Sequence, residues 1–425
     1  MEIVRPADRG YAALQHVYSS TGRPGSILLP ETTSEVAEAL GIVRASGGPF
    51  AVRSGGHGIS SIATNTGGDV IDLRALASIE HRGGRSVRIG PGARWGAVAW
   101  SLAPHGLAIS SGDSGDVGVG GLATTGGIGL MGRAHGLTID SLRSAEIVTA
   151  DGIARRVSAD EEPDLFWAVR GAGANFGIVT SFDFEASETA DVVQTTAVYQ
   201  PRDLAAFLRE WGRTVESAAR EVSAFLYMGA GPTPVAQATI VYAGDDVDAA
   251  TPEIERFLRL PGLSGQRAVV TPYAAVPLTS GAPHTGQQRA STHTGLAAHL
   301  DEDLSERIAT MLRSAGADMV QIRSVGGAIN DVDPAATAYA HRHQNFSVTA
   351  VSVRGGTAFH DAWEPVHALM DGMYLSFESD HAPGAVAEAF PPATLTRLRD
   401  LKARWDPDDL FDQNFDVSEQ RVRLS

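Results

Sequence analysis

Residues 53–58 read Arg53-Ser54-Gly55-Gly56-His57-Gly58 and follow directly on the apolar run Pro49-Phe50-Ala51-Val52. A short strand is predicted to end here in a glycine turn that carries one histidine. Glycines, having no Cβ, let backbone N–H groups converge on a diphosphate. The imidazole beside them is a ring nucleophile, able to capture the reactive methyl of an isoalloxazine ring. A single histidine in a loop can equally be a surface or packing residue. The rest of the chain bears on which of these it is.

Upstream of the turn, Thr32-Thr33-Ser34-Glu35 fits a capping box, with Val36, Leu40 and Val43 on one helical face and Gly47-Gly48-Pro49 to end the helix. Downstream, Val70-Ile71-Asp72-Leu73 and Ser86-Val87-Arg88-Ile89 are predicted strands, and Trp95 to Leu102 a helix. A second glycine cluster follows, Gly112-Asp113-Ser114-Gly115-Asp116-Val117-Gly118-Val119-Gly120-Gly121, then Gly126-Gly127-Ile128-Gly129 and Gly132. Close backbone approach is what a dinucleotide pyrophosphate and a flavin edge require. A Rossmann fingerprint does not fit, because it should open an unbroken helix straight after a strand, whereas here glycines continue. Short strands with tight turns point to an α+β chain and not to a doubly wound sheet.

Composition narrows the function classes. The chain has 425 residues, 43% of them apolar, enough for a large core and two or three units. Its 34 basic and 50 acidic residues give a net charge of −16, which disfavours nucleic acid and anionic membranes as partners. No apolar run approaches the ~18 residues of a membrane span, and Met1 to Pro6 carry no signal-like pattern, so a cytoplasmic location is expected. Cysteine is absent, which removes disulfides, thiolate nucleophiles, cysteine-ligated zinc and iron–sulfur clusters. Lys402 is the only lysine, so a Schiff base has one possible position. Redox chemistry in this chain needs a borrowed cofactor.

Taken together, Arg53 to Gly58, Val117 to Gly121, Gly126 to Gly129 and His135-Gly136-Leu137-Thr138-Ile139-Asp140 resemble the berberine bridge enzyme-like flavoproteins, of the vanillyl-alcohol oxidase or PCMH type of FAD-binding fold. The resemblance continues through Val148 to Gly152, Asp164 to Gly171 and Asn175 to Phe182, and resumes at Leu401 to Pro407 and Phe411 to Phe415. It is close over residues 24–185, whereas about 190–370 match only in pattern. It implies an FAD cofactor held by a single covalent 8α-histidyl link at His57. Further flavin contacts are implied at Arg53, Ser54, Gly55, Gly56, Gly58, Ser114, Val117, Gly118, Gly121, Gly127, Gly129, Ile178, Asn414 and Phe415. Relatives with a second flavin bond carry a cysteine at the position of Ser114, so a doubly tethered flavin is not expected, and oligosaccharides lose weight as substrates. Val117 occupies the position where a small side chain leaves room for O₂ at the flavin, which favours an oxidase.

For the middle of the chain, helices at Leu204 to Ala218, Pro252 to Leu260 and Leu304 to Ser314 are predicted to alternate with strands at Val222 to Met228, Ala236 to Tyr242, Met319 to Val325 and Phe346 to Val353. An antiparallel sheet backed by helices fits this pattern. In the resembled fold its open face lies over the flavin, which makes Tyr227, Gln321, Arg323, Tyr339, Arg342 and His343 substrate candidates. Polar residues on a half-buried sheet are also commonly solvent-facing. His341 and His343, two apart on an expected strand, would share a face, but no third ligand is evident and no metal is expected. Tyr374-Leu375-Ser376-Phe377 resembles a family segment beside the flavin, with Ser376 in place of asparagine. Tyr374 is the candidate catalytic phenol and Phe377 a further substrate contact; to act as a base near neutral pH a buried phenol needs a neighbouring cation.

The expectation is therefore an α+β protein with a split FAD-binding domain, residues 1–185 and 371–425, around a substrate domain, residues 186–370. The expected reaction is hydride transfer from an alcohol or amine C–H of a small molecule to the flavin, with O₂ as acceptor and H₂O₂ as product. A dehydrogenase with another acceptor, or a flavin-bearing binding protein, are the alternatives. Substrate identity and oligomeric state stay open.

Overall fold

The computed structural model describes residues 1–418 apart from 190, 232, 233 and 288, with no side-chain description for residue 383. The expected C-terminal part of the flavin domain thus lies outside the described residues from 419 onward. The helix Thr33–Ser46 starts where the capping pattern places it: Thr32 accepts the Glu35 N–H through its side chain at 3.2 Å. The reciprocal half of the box is not made. The Glu35 carboxylate instead accepts the Glu31 N–H at 2.7 Å and the Met1 ammonium at 2.6 Å. Gly47, with φ 63°, closes the helix by donating to the Val43 carbonyl.

This helix covers a small sheet of β1 (Glu2–Val4), β2 (Ser26–Leu29), β3 (Phe50–Arg53) and β4 (Asp69–Asp72), in the order β1-β2-β4-β3. The β2, β4 and β3 strands run parallel. In that register Arg53 lies beside Asp72, and the two buried side chains form an ion pair at 2.8 Å. The second sheet is fully antiparallel and contains β5 (Ile79–Gly83), β6 (Ser86–Ile89), β7 (Leu142–Thr149), β8 (Ala154–Ser158) and β9 (Gly177–Glu185), ordered β5-β6-β9-β7-β8. Its core is shared with the helices Trp95–Leu102, Pro163–Ala172 and Pro392–Trp405, so the end of the chain returns to the first half. Lys402 fastens that return: its ammonium donates to the carbonyls of Asn175 at 3.1 Å and Phe411 at 2.8 Å and pairs with Asp406 at 2.8 Å. It is a buried tie, out of reach of a carbonyl substrate for Schiff-base chemistry.

Between the two halves of that unit, β10 (Asp191–Tyr199), β11 (Val222–Gly229), β12 (Ala236–Tyr242), β13 (Leu263–Pro272), β14 (Ser291–Ala297), β15 (Met319–Ser324) and β16 (Phe346–Ser352) form one antiparallel sheet, ordered β13-β10-β12-β11-β15-β16-β14. One face packs on the helices Leu204–Ser217, Val247–Leu258, Glu302–Arg313 and Thr357–His367. Strand alternation turns the other residues to the opposite face. There Phe225, Val241 and Leu296 meet Ile128, Leu130, Leu137 and Ile139 of the glycine-rich stretch in a single buried cluster. This joint places the sheet against the glycine loops.

Three expectations need correction. The second helix of this region begins at Val247, a turn before Pro252, because the Asp246 carboxylate caps it by accepting the Ala249 N–H at 3.0 Å. His341, Arg342 and His343 lie in irregular backbone and not on a strand. Strands β10, β13 and β14 were not anticipated; β13 is an edge strand whose residues are nearly all exposed, so no apolar alternation marks it.

Replacing Asp72 by Asn should leave the Arg53 guanidinium buried without a countercharge and lower stability by about 3–5 kcal/mol, read from urea unfolding. A change under about 1 kcal/mol would mean that the pair behaves as an exposed one.

Candidate active site

His57 stands just beyond β3, half-buried, where the chain turns through Gly55 and Gly56. The Tyr18 ring stacks on it at 4.2 Å between centroids and the His284 ring meets it edge-on at 5.5 Å. His284 donates through Nε2 to the Gly55 carbonyl at 2.9 Å. Burial, reinforced by the neighbouring His284, lowers the His57 imidazole to about 4. At neutral pH the ring is uncharged and keeps a lone pair. The segment that carries His284 is fixed to the second glycine loop: Asp116 accepts the Ser280 N–H at 2.8 Å and the Leu278 N–H donates to the Asp113 carbonyl at 2.9 Å.

The two glycine loops of the sequence touch each other at Gly55 and Gly118. A Cβ on either would lie 2.6 Å from the other's Cα, so both positions need glycine. Ser54 adds a second tie, donating to the Pro91 carbonyl at 2.6 Å and accepting the Gly120 N–H at 3.2 Å. Among the described residues, the N–H groups of Gly55, Gly56, His57 and Gly58 donate to no other protein group. Gly121 faces open space. A row of unpaired amides beside a neutral imidazole fits the diphosphate and ring methyl of FAD.

The other expected flavin contacts sit differently. Arg53 is committed to Asp72, and Ile178 lies in the core with Val148 and Phe411. Gly127 and Gly129 make room for the protein itself, since a Cβ there would come within 2.5 Å of the Thr138 Cβ and the Ser110 Oγ respectively. Ser114 is half-buried and paired through its backbone with Leu278, while the Val117 carbonyl accepts the Trp95 N–H at 3.0 Å. Asn414 is half-buried; Phe415 is buried, stacked on His381 at 4.6 Å, and its carbonyl accepts Asn175 Nδ2 at 3.4 Å.

On the facing side, Tyr374 is buried and its hydroxyl accepts the Gly127 N–H at 2.9 Å. Its ring lies over Gly126, where a Cβ would stand 3.0 Å from Cε2, and meets Tyr339 at 6.0 Å and Phe377 at 5.6 Å. Ser376 shares a hydrogen bond with Thr125 at 2.8 Å. Phe377 lies under the Arg323 guanidinium at 3.9 Å, and Arg323 Nη2 donates to the Asp113 carboxylate at 3.3 Å. Tyr227 donates to the same carboxylate, with Gln321 beside it in the register of β11 and β15. Burial, helped by Asp113, raises Tyr227, and burial raises Tyr339, so both remain phenols near neutral pH. Burial alone would raise Asp113, but the Arg323 charge and the Tyr227 hydroxyl together hold it below its ordinary value, as a carboxylate.

Tyr227, Gln321, Arg323, Tyr339, Tyr374 and Phe377 thus gather around the joint between sheet and glycine-rich stretch, and two candidates do not. Arg342 uses all its N–H groups on Asp140, Ile329, Thr337 and its neighbour Tyr339. His343 is exposed and pairs with Asp371 at 2.5 Å, whereas His341 is buried against the carbonyls of Glu388 and Ala389. Sequence reading missed Tyr18, Asp113 and His284. Asp113 stood in the quoted glycine cluster as an acid next to Ser114; Tyr18 and His284 come from distant loops and carry no local signal.

Residues 24–158 match the FAD binding domain family. The (R)-6-hydroxynicotine oxidase of Paenarthrobacter nicotinovorans is 39% identical over 190 residues, 44% of this chain and 42% of that protein, so the match spans under half the length of that relative. The crystal structure of 6-hydroxy-D-nicotine oxidase from Arthrobacter nicotinovorans superposes with a TM-score of 0.87 at 26% identity, covering 99% of this chain and 98% of that one. Glucooligosaccharide oxidase from Acremonium strictum, described with a 6-S-cysteinyl, 8α-N1-histidyl FAD, shares the fold with a TM-score of 0.86 at 23% identity, over 98% of this chain and 97% of that one.

With its pKa depressed, neutral His57 stabilises the folded flavin-free protein fully above the ordinary imidazole value of 6.5, and this contribution is lost as the pH falls from there towards about 4. Flavin-free protein should therefore lose stability over that window more steeply than its His57→Gln variant. Parallel pH profiles of Tm would show that His57 is ordinarily solvated.

Proposed function

We propose that the chain is an FAD-linked oxidoreductase with a PCMH-type flavin-binding fold, an oxidase of a small molecule that holds FAD through His57; the flavin-binding match over residues 24–158 and the likeness to 6-hydroxynicotine oxidase support the reading. The observation that carries the reading is the neutral imidazole on a glycine turn whose amides are unpaired. When bound, FAD supplies the hydride acceptor, and O₂ is the proposed final acceptor, leaving as H₂O₂.

In this reading residues 1–185 and 371–425 hold the flavin and residues 186–370 supply the substrate side. The amides of Gly55 to Gly58 and the open backbone at Gly121 bind the diphosphate, and Ser114, which has no thiol, leaves His57 as the single attachment. Tyr374 orients the substrate: with its oxygen already accepting the Gly127 N–H, the hydroxyl keeps its own hydrogen for a substrate oxygen or nitrogen. The buried rings of Tyr339 and Tyr374, with half-buried Phe377 packed against them, form an apolar wall that suits a ring-bearing substrate. Val117 is the residue assigned to oxygen access.

The reacting bond is assigned to the C–H beside an alcohol or an amine. A relative named for oxidation of 6-hydroxynicotine supports the amine, and one named for glucooligosaccharides supports the alcohol. Substrate C–H and flavin must be brought together before either reacts, which is the service of the rigid joint between the sheet and the glycine-rich stretch.

Two measurements test the reading. Parent protein precipitated in acid should keep its yellow colour in the washed pellet, and His57→Ala should release it; colour lost from both would remove His57 as the anchor. Val117→Leu should slow reoxidation of the reduced protein by O₂ roughly tenfold, about 1.4 kcal/mol in barrier, measured by stopped-flow absorbance. Equal rates would mean that Val117 does not govern oxygen.

A further inference from the structure

We propose that Arg323 is a specificity-determining residue that selects substrates bearing a neutral carbonyl oxygen, with Ser347 as its helper. Arg323 is 3% exposed, lies on β15 and faces the joint described above. One side of its guanidinium is committed: Nη2 donates to Asp113, and the planar face lies on Phe377. The other side is not. Nη1 is buried and has no hydrogen-bond partner among the described residues. Ser347 lies directly across from Arg323 in the register of β15 and β16, on the same face of the sheet, and its buried hydroxyl is also unpartnered.

Two buried polar groups on one face of the sheet, neither with a partner among the described residues, carry a desolvation cost that a protein ordinarily avoids. An acceptor atom of a bound molecule removes it. The charge of that molecule follows from what is already present. Asp113 cancels the Arg323 charge, so a carboxylate placed at Nη1 would add an uncompensated buried negative charge, which is costly. A neutral carbonyl accepts the Nη1 N–H and the Ser347 O–H without that cost. Its attached ring would lie against Phe377 and Tyr374, whose rings are 5.6 Å apart. The substrate class is therefore an aromatic or heteroaromatic ring carrying an amide, lactam or ketone oxygen.

The inference rests on the oxidase reading in one respect, that this joint is the substrate side of the flavin. It is tested by titrating the full flavin-loaded chain with benzamide, benzoate and benzylamine, using calorimetry and the visible absorbance of the bound flavin. Benzamide should bind, with benzoate and benzylamine weaker by roughly tenfold or more. Arg323→Lys, which keeps the charge opposite Asp113 but removes the second arm, should weaken benzamide roughly tenfold and Ser347→Ala several-fold, each compared at equal flavin content and well below its own Tm. Absence of benzamide binding, tighter binding of benzoate, or equal affinity in parent and variants would overturn the proposal. A colourless acid pellet from the parent would instead defeat the covalent-flavin reading, and calorimetry on that same protein would still report whether Arg323 and Ser347 hold the amide.

Discussion

The backbone contact of Gly55 with Gly118 is the constraint on which the rest depends. It brings together two loops that the sequence separates by the three strands β4, β5 and β6 and the helix Trp95–Leu102, and it does so at a distance that only hydrogen at Cα permits. Beside this contact, the N–H groups of Gly55, Gly56, His57 and Gly58 have no partner among the described residues. The buried Arg53–Asp72 pair holds the base of the first loop, so the contact rests on rigid strands and not on mobile coil.

The second loop does more than touch the first. Its Asp113 takes hydrogen bonds from Tyr227 and Arg323 of the seven-stranded sheet, and its Asp116 holds the segment that carries His284. One stretch of backbone therefore links the first glycine loop, the seven-stranded sheet and the segment that covers His57. Carboxylates suit this task here because each is met by several donors, which keeps it ionised and fixed in direction.

Part of the framework was legible from local pattern. The helix Trp95–Leu102 and the strands β6 and β12 have the bounds that periodicity assigns, because capping residues, glycines and apolar alternation act over a few residues. The histidine turn was legible for the same reason, as a motif that is contiguous in sequence. What escaped were the features made by chain segments far apart. β13 pairs only with β10 at an exposed edge, and Tyr18 and His284 reach His57 from loops with no periodicity. Arg342 had the composition of a ligand-binding residue, yet its donors are consumed by Asp140 and nearby carbonyls, a fact that only tertiary structure supplies.

The buried tie at Lys402 has a separate consequence. This is the only side-chain amine in the sequence, and its side chain is 4% exposed, held by Asp406 and Asp409 and by two carbonyls. The folded surface consequently offers no lysine to acylating dyes, bifunctional cross-linkers or enzymes that conjugate through lysine. Any reaction at that amine reports that the helix Pro392–Trp405 has lifted from its place against Asn175, which makes a single residue a built-in gauge of opening at the C-terminal return of the chain.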